Sequence, residues 1–353
     1  MLTLPQKNLL DILSAVQGLL AKTGKIHIVA TDRLEIVATD NENTIITNTA
    51  ATVESSFAIL IDGRHLFAVV KSLPQGTVTL AIDDRFRLSV DCAPASFKLA
   101  GEDPQNAPAM PSLDTAAEFT PTNLHRAIEQ VFFGIPNEEN RYGLNGAHFE
   151  DTGNLRLAST DGSRLQYAET LYTGEVKVPS KILVSKKTLS EIRKLPAPLT
   201  IGFQKRAMVV RSESVTLHAR LVDGEFPPYR RVLPTGDPKR TIRVDRARMI
   251  EALRRVSLEA QDKASTVRIM FEHEEMTISA RSIEHGEASH PVSVEMTGDP
   301  ITMGFNVVFL IEALTAIQTE QVQIGFDEAL SPCLIYPIGD DSALFVVMPI
   351  RLE

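Results

Sequence analysis

Three aspartates, Asp32, Asp40 and Asp161, stand at the ends of strand-like runs. Carboxylates in such places could hold a divalent cation for hydrolysis or nucleotidyl transfer. Their setting suits a plainer task. Asp40 closes Ala38-Thr-Asp and Asp161 closes Ser159-Thr-Asp, so the two occupy equivalent points of a repeated pattern, far apart in the chain. A Thr-Asp pair at a strand end offers side-chain oxygens to the backbone of a turn. The eight histidines show no HExxH spacing. The sequence contains no phosphate-binding Gly-rich loop and no Gly-x-Ser-x-Gly elbow. Cys92 and Cys333 form no CxxC, which argues against a disulfide framework and against a cysteine metal site. The expectation is a protein that is not an enzyme and carries no metal or cofactor. A carboxylate-based hydrolase or nucleotidyl transferase is the competing reading.

The elements that position these residues repeat. At 353 residues the chain exceeds what one core usually holds. Each third opens with an amphipathic helix pattern. Leu9, Leu13, Val16 and Leu20 form one apolar stripe, Leu124, Ile128 and Val131 a second, and Met249, Leu253 and Val256 a third. Alternating strand-like runs follow, at Lys25–Ala30, Leu34–Ala38, Leu155–Ser159 and Met276–Ala280. A second helix pattern then begins near Arg64, Lys187 and Asn306, and two of these stop at Leu-Pro. The reading is α+β, with one domain of two helices and antiparallel strands present three times. Proline-rich stretches put the boundaries at 1–115, 116–236 and 237–353.

Composition constrains the rest. With 43% hydrophobic and 23% charged residues the chain suits a soluble, core-forming protein. No apolar run approaches the roughly 18 residues of a membrane span, and the start lacks the pattern of a secretion signal, so a cytoplasmic protein with no membrane partner is expected. A net charge of −9 weighs against nucleic-acid binding. That average hides a split: residues 116–236 hold 16 Lys+Arg against 13 Asp+Glu, while residues 1–115 hold 9 against 13 and residues 237–353 hold 11 against 19.

Three long motifs resemble the bacterial β sliding clamp family, the processivity subunit of DNA polymerase III. They are Arg141-Tyr-Gly-Leu-Asn-Gly146 with Leu157-Ala-Ser-Thr-Asp-Gly-Ser-Arg-Leu165, then Leu221-Val-Asp-Gly-Glu-Phe-Pro-Pro-Tyr-Arg-Arg-Val-Leu-Pro234, then Phe345-Val-Val-Met-Pro-Ile-Arg-Leu352. The resemblance spans the chain. It implies a head-to-tail homodimeric ring of clamp domains, with helices lining a central hole around double-stranded DNA. It also implies a non-catalytic tether for the replicative polymerase, the clamp loader and repair polymerases, which dock through short peptide motifs. A non-replicative clamp paralogue with other partners is a further alternative.

The residues that the resemblance implies fall into three sets. A peptide cleft would draw Leu144, Thr160, Gly162, Ser163, Arg164 and Leu165 from the first motif and Pro227, Arg231 and Val232 from the second. Asn306, Phe309, Leu330, Pro332, Val346, Met348, Pro349, Ile350 and Arg351 would complete it. Arg164, Arg231 and Arg351 could bond peptide carbonyls or carboxylates, and Met348 and Ile350 offer adaptable apolar surface. The DNA-facing set is Lys22, Lys25, Lys71, Arg126, Arg141, Tyr142, Lys186, Lys187, Arg193, Lys194, Arg248 and Arg255, since sequence-independent phosphate attraction permits sliding. Ring closure would use Phe97, Val256 and Leu258.

Overall fold

The computed structural model describes residues 1–20, 24–136, 145–175, 178–179, 182–231, 233, 236–260, 265–282 and 286–352. Each apolar stripe read from the sequence becomes the buried face of a helix. Helix α1 (Gln6–Val16) buries Leu9, Leu13 and Val16, and α3 (Leu124–Phe132) buries Leu124, Ile128 and Val131. Helix α5 (Arg246–Val256) buries Met249, Leu253 and Val256. Between them lie α2 (Gly63–Ser72), α4 (Lys186–Ile192) and, last in the chain, α6 (Val307–Ala316).

Short polar side chains start several of these helices. Asp62 accepts a hydrogen bond from the His65 amide, Asp245 from Arg248, and Asn306 from Val308 and Phe309. Each satisfies amides that a helix start leaves without partners.

The described residues form two compact units. The first comprises Met1–Thr122, Tyr172–Pro179 and Lys187–Leu221. Its strands form one antiparallel sheet of 14 strands, in which Asn43–Thr49 pairs with Val215–Arg220. The strand Ala95–Glu102 turns a corner in this sheet. Its first six residues pair with Arg87–Cys92, and Gly101 and Glu102 pair with Ile61 and Leu60. A side chain at Gly101 would sit 2.4 Å from Ile59 Cδ1 and 2.8 Å from the Phe86 carbonyl, so only glycine fits the corner.

The second unit comprises Asn123–Leu171, Ser180–Lys186 and Val222–Glu353. It holds a 9-stranded sheet and a 4-stranded sheet, and helices α5 and α6 pack on each other. In the larger sheet Arg164–Thr170 pairs with Ala343–Val347. Thus a strand that follows a Thr-Asp turn pairs, in both units, with the strand that ends the next third of the chain.

Candidate functional site

The second unit carries a groove of about 450 Å³, lined by Thr160, Gly162, Arg164, Leu165, Pro227, Pro228, Tyr229, Arg231, Val346 and Met348. Its floor follows from the register, because Leu165 stands opposite Val346 in neighbouring strands. Both are nearly buried, at 4% and 3% exposure, while Met348 at the rim is 38% exposed. The chain reverses just before Arg164. Asp161 Oδ1 accepts from the amides of Ser163 and Arg164, and Thr160 Oγ1 accepts from the Gly162 amide and donates to the Arg164 carbonyl. Gly162 sits at φ 94°, where a residue without Cβ is favoured. Asp161 is therefore a turn residue, and Asp40 has the same task, accepting from Glu42 and Asn43 amides. Among the described residues no three metal-ligating side chains gather.

Arg164 differs from its expected role. Its guanidinium donates to Asp161 Oδ2 at 2.8 Å, to the Phe133 carbonyl at 2.8 Å and to Glu312. It also lies 4.2 Å from the centre of the Phe309 ring. With its side chain 10% exposed and its donors engaged, it braces the turn and α6. Arg164 still lines the groove.

Tyr229 is a groove residue absent from the sequence-derived set. It lies in a short 3₁₀ turn, Tyr229–Arg231, and is 6% exposed. Its hydroxyl donates to Glu150 and accepts from Arg156 Nη1 at 3.3 Å. Burial raises its pKa, and the hydrogen bond from Arg156 opposes this. An aromatic residue directly after Pro227-Pro228 was the available signal, since two prolines stiffen the segment that presents it.

The other expected cleft residues take different places. Ser163 is exposed, and its carbonyl accepts from the Met348 amide at 2.9 Å, tying turn to tail. Asn306 is occupied as the cap of α6. Phe309 stacks on Arg164 and does not line the groove. Leu330 is 51% exposed, and with Pro332 it lies off the groove. Pro349, Ile350 and Arg351 run past it, with Ile350 bridged to Gly304. Val347, between the groove residues Val346 and Met348, alternates to the other face and is 1% exposed in the core. Leu144 and Val232 lie outside the described residues.

The basic side chains divide by their partners. Arg248 and Lys71 are exposed, Lys71 with its ammonium 6.0 Å from the Phe67 ring centre. Arg255 is exposed and pairs with Glu251 and with His290 Nε2 at 2.8 Å. Lys25 pairs with Glu102 at 2.8 Å and Lys194 with Glu191 at 2.8 Å. Arg126 is held by Asp340. Arg193 is half-buried at the C-terminal end of α4. Lys187 bonds Asp40, with Glu42 at 3.6 Å. Burial lowers the Lys187 pKa, but these carboxylates outweigh it and hold the ammonium above its usual value.

Lys186 corrects its expected role. Its Nζ turns back to the Ile135 carbonyl at 2.6 Å, and burial, then the neighbouring Arg164 charge, lower its pKa. An ammonium so engaged is not displayed on a helix face. Lys22, Arg141 and Tyr142 lie outside the described residues.

Of the closure residues, Phe97 is 36% exposed and Leu258 is 69% exposed. Leu258 borders an open groove beside Ile250 and Arg254 on α5. Val256 corrects its assignment: at 1% exposure it fills the core stripe of α5 and has no side chain to offer a partner.

Models of three families match consecutive segments: the DNA polymerase III beta subunit N-terminal domain over residues 2–111, its central domain over 118–228 and its C-terminal domain over 230–351. The chain is 34% identical over 284 residues to the beta sliding clamp of Haemophilus influenzae, covering 78% of this chain and 76% of that one. It is 32% identical over 301 residues to the beta sliding clamp of Caulobacter vibrioides, covering 81% and 80%. Among solved structures, the C. crescentus beta sliding clamp superposes with a TM-score of 0.92 at 29% identity over 99% of each chain. A Pseudomonas aeruginosa DnaN sliding clamp bound to griselimycin gives 0.91 at 26% identity, again over 99% of each.

Proposed function

The chain belongs to the DNA polymerase III beta subunit family of DNA sliding clamps, the processivity factors of replication, and we propose that two copies close head-to-tail into a ring around duplex DNA. Three clamp domains per chain, with boundaries at 1–115, 116–236 and 237–353, would give such a ring its wall. Phe97 and Leu258, both exposed, are the residues that meet across the closure. Exposed Arg248, Arg255 and Lys71 attract phosphate without reading bases, which suits movement along DNA. No helix of the described residues is long and apolar enough to cross a membrane. A clamp that works on replicating bacterial DNA acts in the cytoplasm. The clamp catalyses nothing itself. It holds a polymerase, and in turn a loader or repair polymerase, at the DNA.

The groove carries this reading further. It is apolar at its floor, rimmed by adaptable Met348 and exposed Arg231, and closed on one side by the Tyr229 ring. Such a trough takes apolar and aromatic anchors of a short peptide, with an arginine free for a backbone carbonyl or a carboxylate. Two measurements test the reading. Protein loaded on nicked circular DNA should survive high salt and leave when the circle is cut, and equal loss from circles and linear DNA would defeat the ring. A fluorescent polymerase-tail peptide should bind wild type and lose at least tenfold in affinity on Met348→Ala combined with Arg231→Ala. Unchanged affinity would move the peptide site elsewhere.

A further inference from the structure

A second cavity lies in the first unit, on the sheet face turned away from α1 and α2. Ile26 faces the helices, since its Cγ2 would lie 2.7 Å from a side chain built at Gly63, the first residue of α2. Strand alternation therefore points His27 to the other side. There His27 stands opposite Val37 and Leu60, and Leu60 opposite Glu102. The segment 106–110 roofs this row, and the chamber beneath it holds about 230 Å³.

The same layout recurs in the second third with one difference. His148 stands opposite Ala158 and Leu183, as His27 stands opposite Val37 and Leu60. There the roof is Asp223-Gly-Glu-Phe226-Pro-Pro228, and Phe226 stacks on His148 at 5.3 Å with the rings 11° apart. In the first third the aligned roof reads Asp103-Pro-Gln-Asn106-Ala-Pro108. By this alignment Asn106 takes the position of Phe226; it is exposed and lines the chamber together with His27.

The walls specify the occupant. Val37, Leu60, Pro108 and Met110 give apolar contact to a ring over His27, and Thr39, Asn41, Thr44 and Asn106 add polar groups at its edge. The charges at the rim, Lys25 and Glu102, neutralise each other at 2.8 Å, so an ion entering would find no free counter-charge. Burial holds the His27 ring below its ordinary pKa against the pull of Glu35, which keeps it neutral and suited to stacking.

We propose that this chamber binds a small, uncharged planar aromatic molecule, stacked on His27 in the place that Phe226 fills over His148. The proposal is independent of the peptide groove, because every lining residue belongs to the first unit.

The chain contains no tryptophan, so free indole is a probe whose emission is read with little protein background. Indole emission should shift saturably on titration with wild type. Asn106→Phe, which supplies the ring from within, should abolish the shift and leave the fold intact. His27→Ala should weaken binding at least tenfold. Absence of a saturable shift, or a shift that survives both substitutions, overturns the proposal. Should His27→Ala fail to fold, Asn106→Phe alone decides, since it fills space and removes none.

Discussion

Two seams in this chain share one design and differ in what they leave exposed. In the first unit Asn43–Thr49 pairs with Val215–Arg220, and in the second Arg164–Thr170 pairs with Ala343–Val347. Each begins after a Thr-Asp turn, and each meets the second helix of the following third. That helix presents the same carboxylate, Glu191 in α4 and Glu312 in α6, three residues after Thr188 or Phe309. At the first seam the turn supplies Asn43, which is fully buried and accepts from Thr188 at 2.8 Å. Glu191 is 5% exposed and lies against Gly18, where a side chain would come within 2.4 Å of its carboxylate. At the second seam the turn supplies Arg164, which spans Glu312, Asp161 and the Phe133 carbonyl. A short amide closes one seam around small residues. A long guanidinium props the other, and Arg164 and the turn before it line a groove. Strand pairing joins the parts, and the side chain at one strand position decides how the seam is filled.

Exchanging these residues breaks the comparison most sharply. Asn43→Arg forces a long cation into a site with no exposure. Overpacking and charge burial together should cost about 3 kcal/mol or more, read as a lower urea midpoint. A loss near zero would mean the first seam has room that the packing denies. Arg164→Met keeps the stem and removes the donors. It takes the guanidinium from Glu312 and leaves Asp161 its two backbone amides, and both carboxylates are partly exposed, so the expected cost is about 1–3 kcal/mol. Peptide affinity should fall as well, because the braced turn lines the groove. If affinity falls while stability holds, Arg164 touches the peptide directly.

Much of this was legible in the sequence, for physical reasons that can be named. The three stripes at Leu9, Leu124 and Met249 are periodic, and burial of a periodic face is what selects a helix in a compact chain. Thr-Asp at two strand ends read correctly as turn chemistry, because the Asp oxygens serve amides two and three residues on. Directions of long side chains were not legible. Lys186 and Lys187 are adjacent and alike in sequence, yet Lys186 turns to the Ile135 carbonyl and Lys187 to Asp40. Those partners are distant in the chain, and no local pattern encodes them. Val256 was readable from its own stripe, and assigning it to an interface set a family position above the helical period. The sequence marked Tyr229 only as an aromatic residue after two prolines, and the fold places it in one groove with Leu165 and Val346.

A smaller effect sharpens the closed seam. Lys187→Met removes the partner of Asp40, whose side chain is 1% exposed. Two backbone amides still serve that carboxylate, and the lysine is itself 33% exposed. The loss should be about 1–2 kcal/mol, less than the penalty of a fully orphaned buried charge. No loss at all would mean that the amides alone satisfy Asp40.

The smallest expected effect tests whether the open seam has a second brace. Arg126 of α3 pairs with Asp340, just before the strand Ala343–Val347, and the two side chains are 33% and 17% exposed. Burial raises the Asp340 pKa, but hydrogen bonds from Ser342 and the Arg126 charge outweigh it, so the carboxyl titrates below its usual 3.8. A carboxyl depressed by folding stabilises the protein above its unfolded pKa. That contribution is lost as pH falls through the folded value. Asp340→Asn removes the ionisable group, so at pH 6 the variant should be less stable than wild type by about 0.5–1 kcal/mol. The gap should stay constant down to about pH 4 and close below 3.8 as Asp340 takes up its proton. High salt should narrow it at every pH, since one partner is a third exposed. A gap that persists at low pH would assign the effect to the Ser342 hydrogen bonds, which an amide oxygen reproduces only in part, and would leave Arg164 as the brace of the groove.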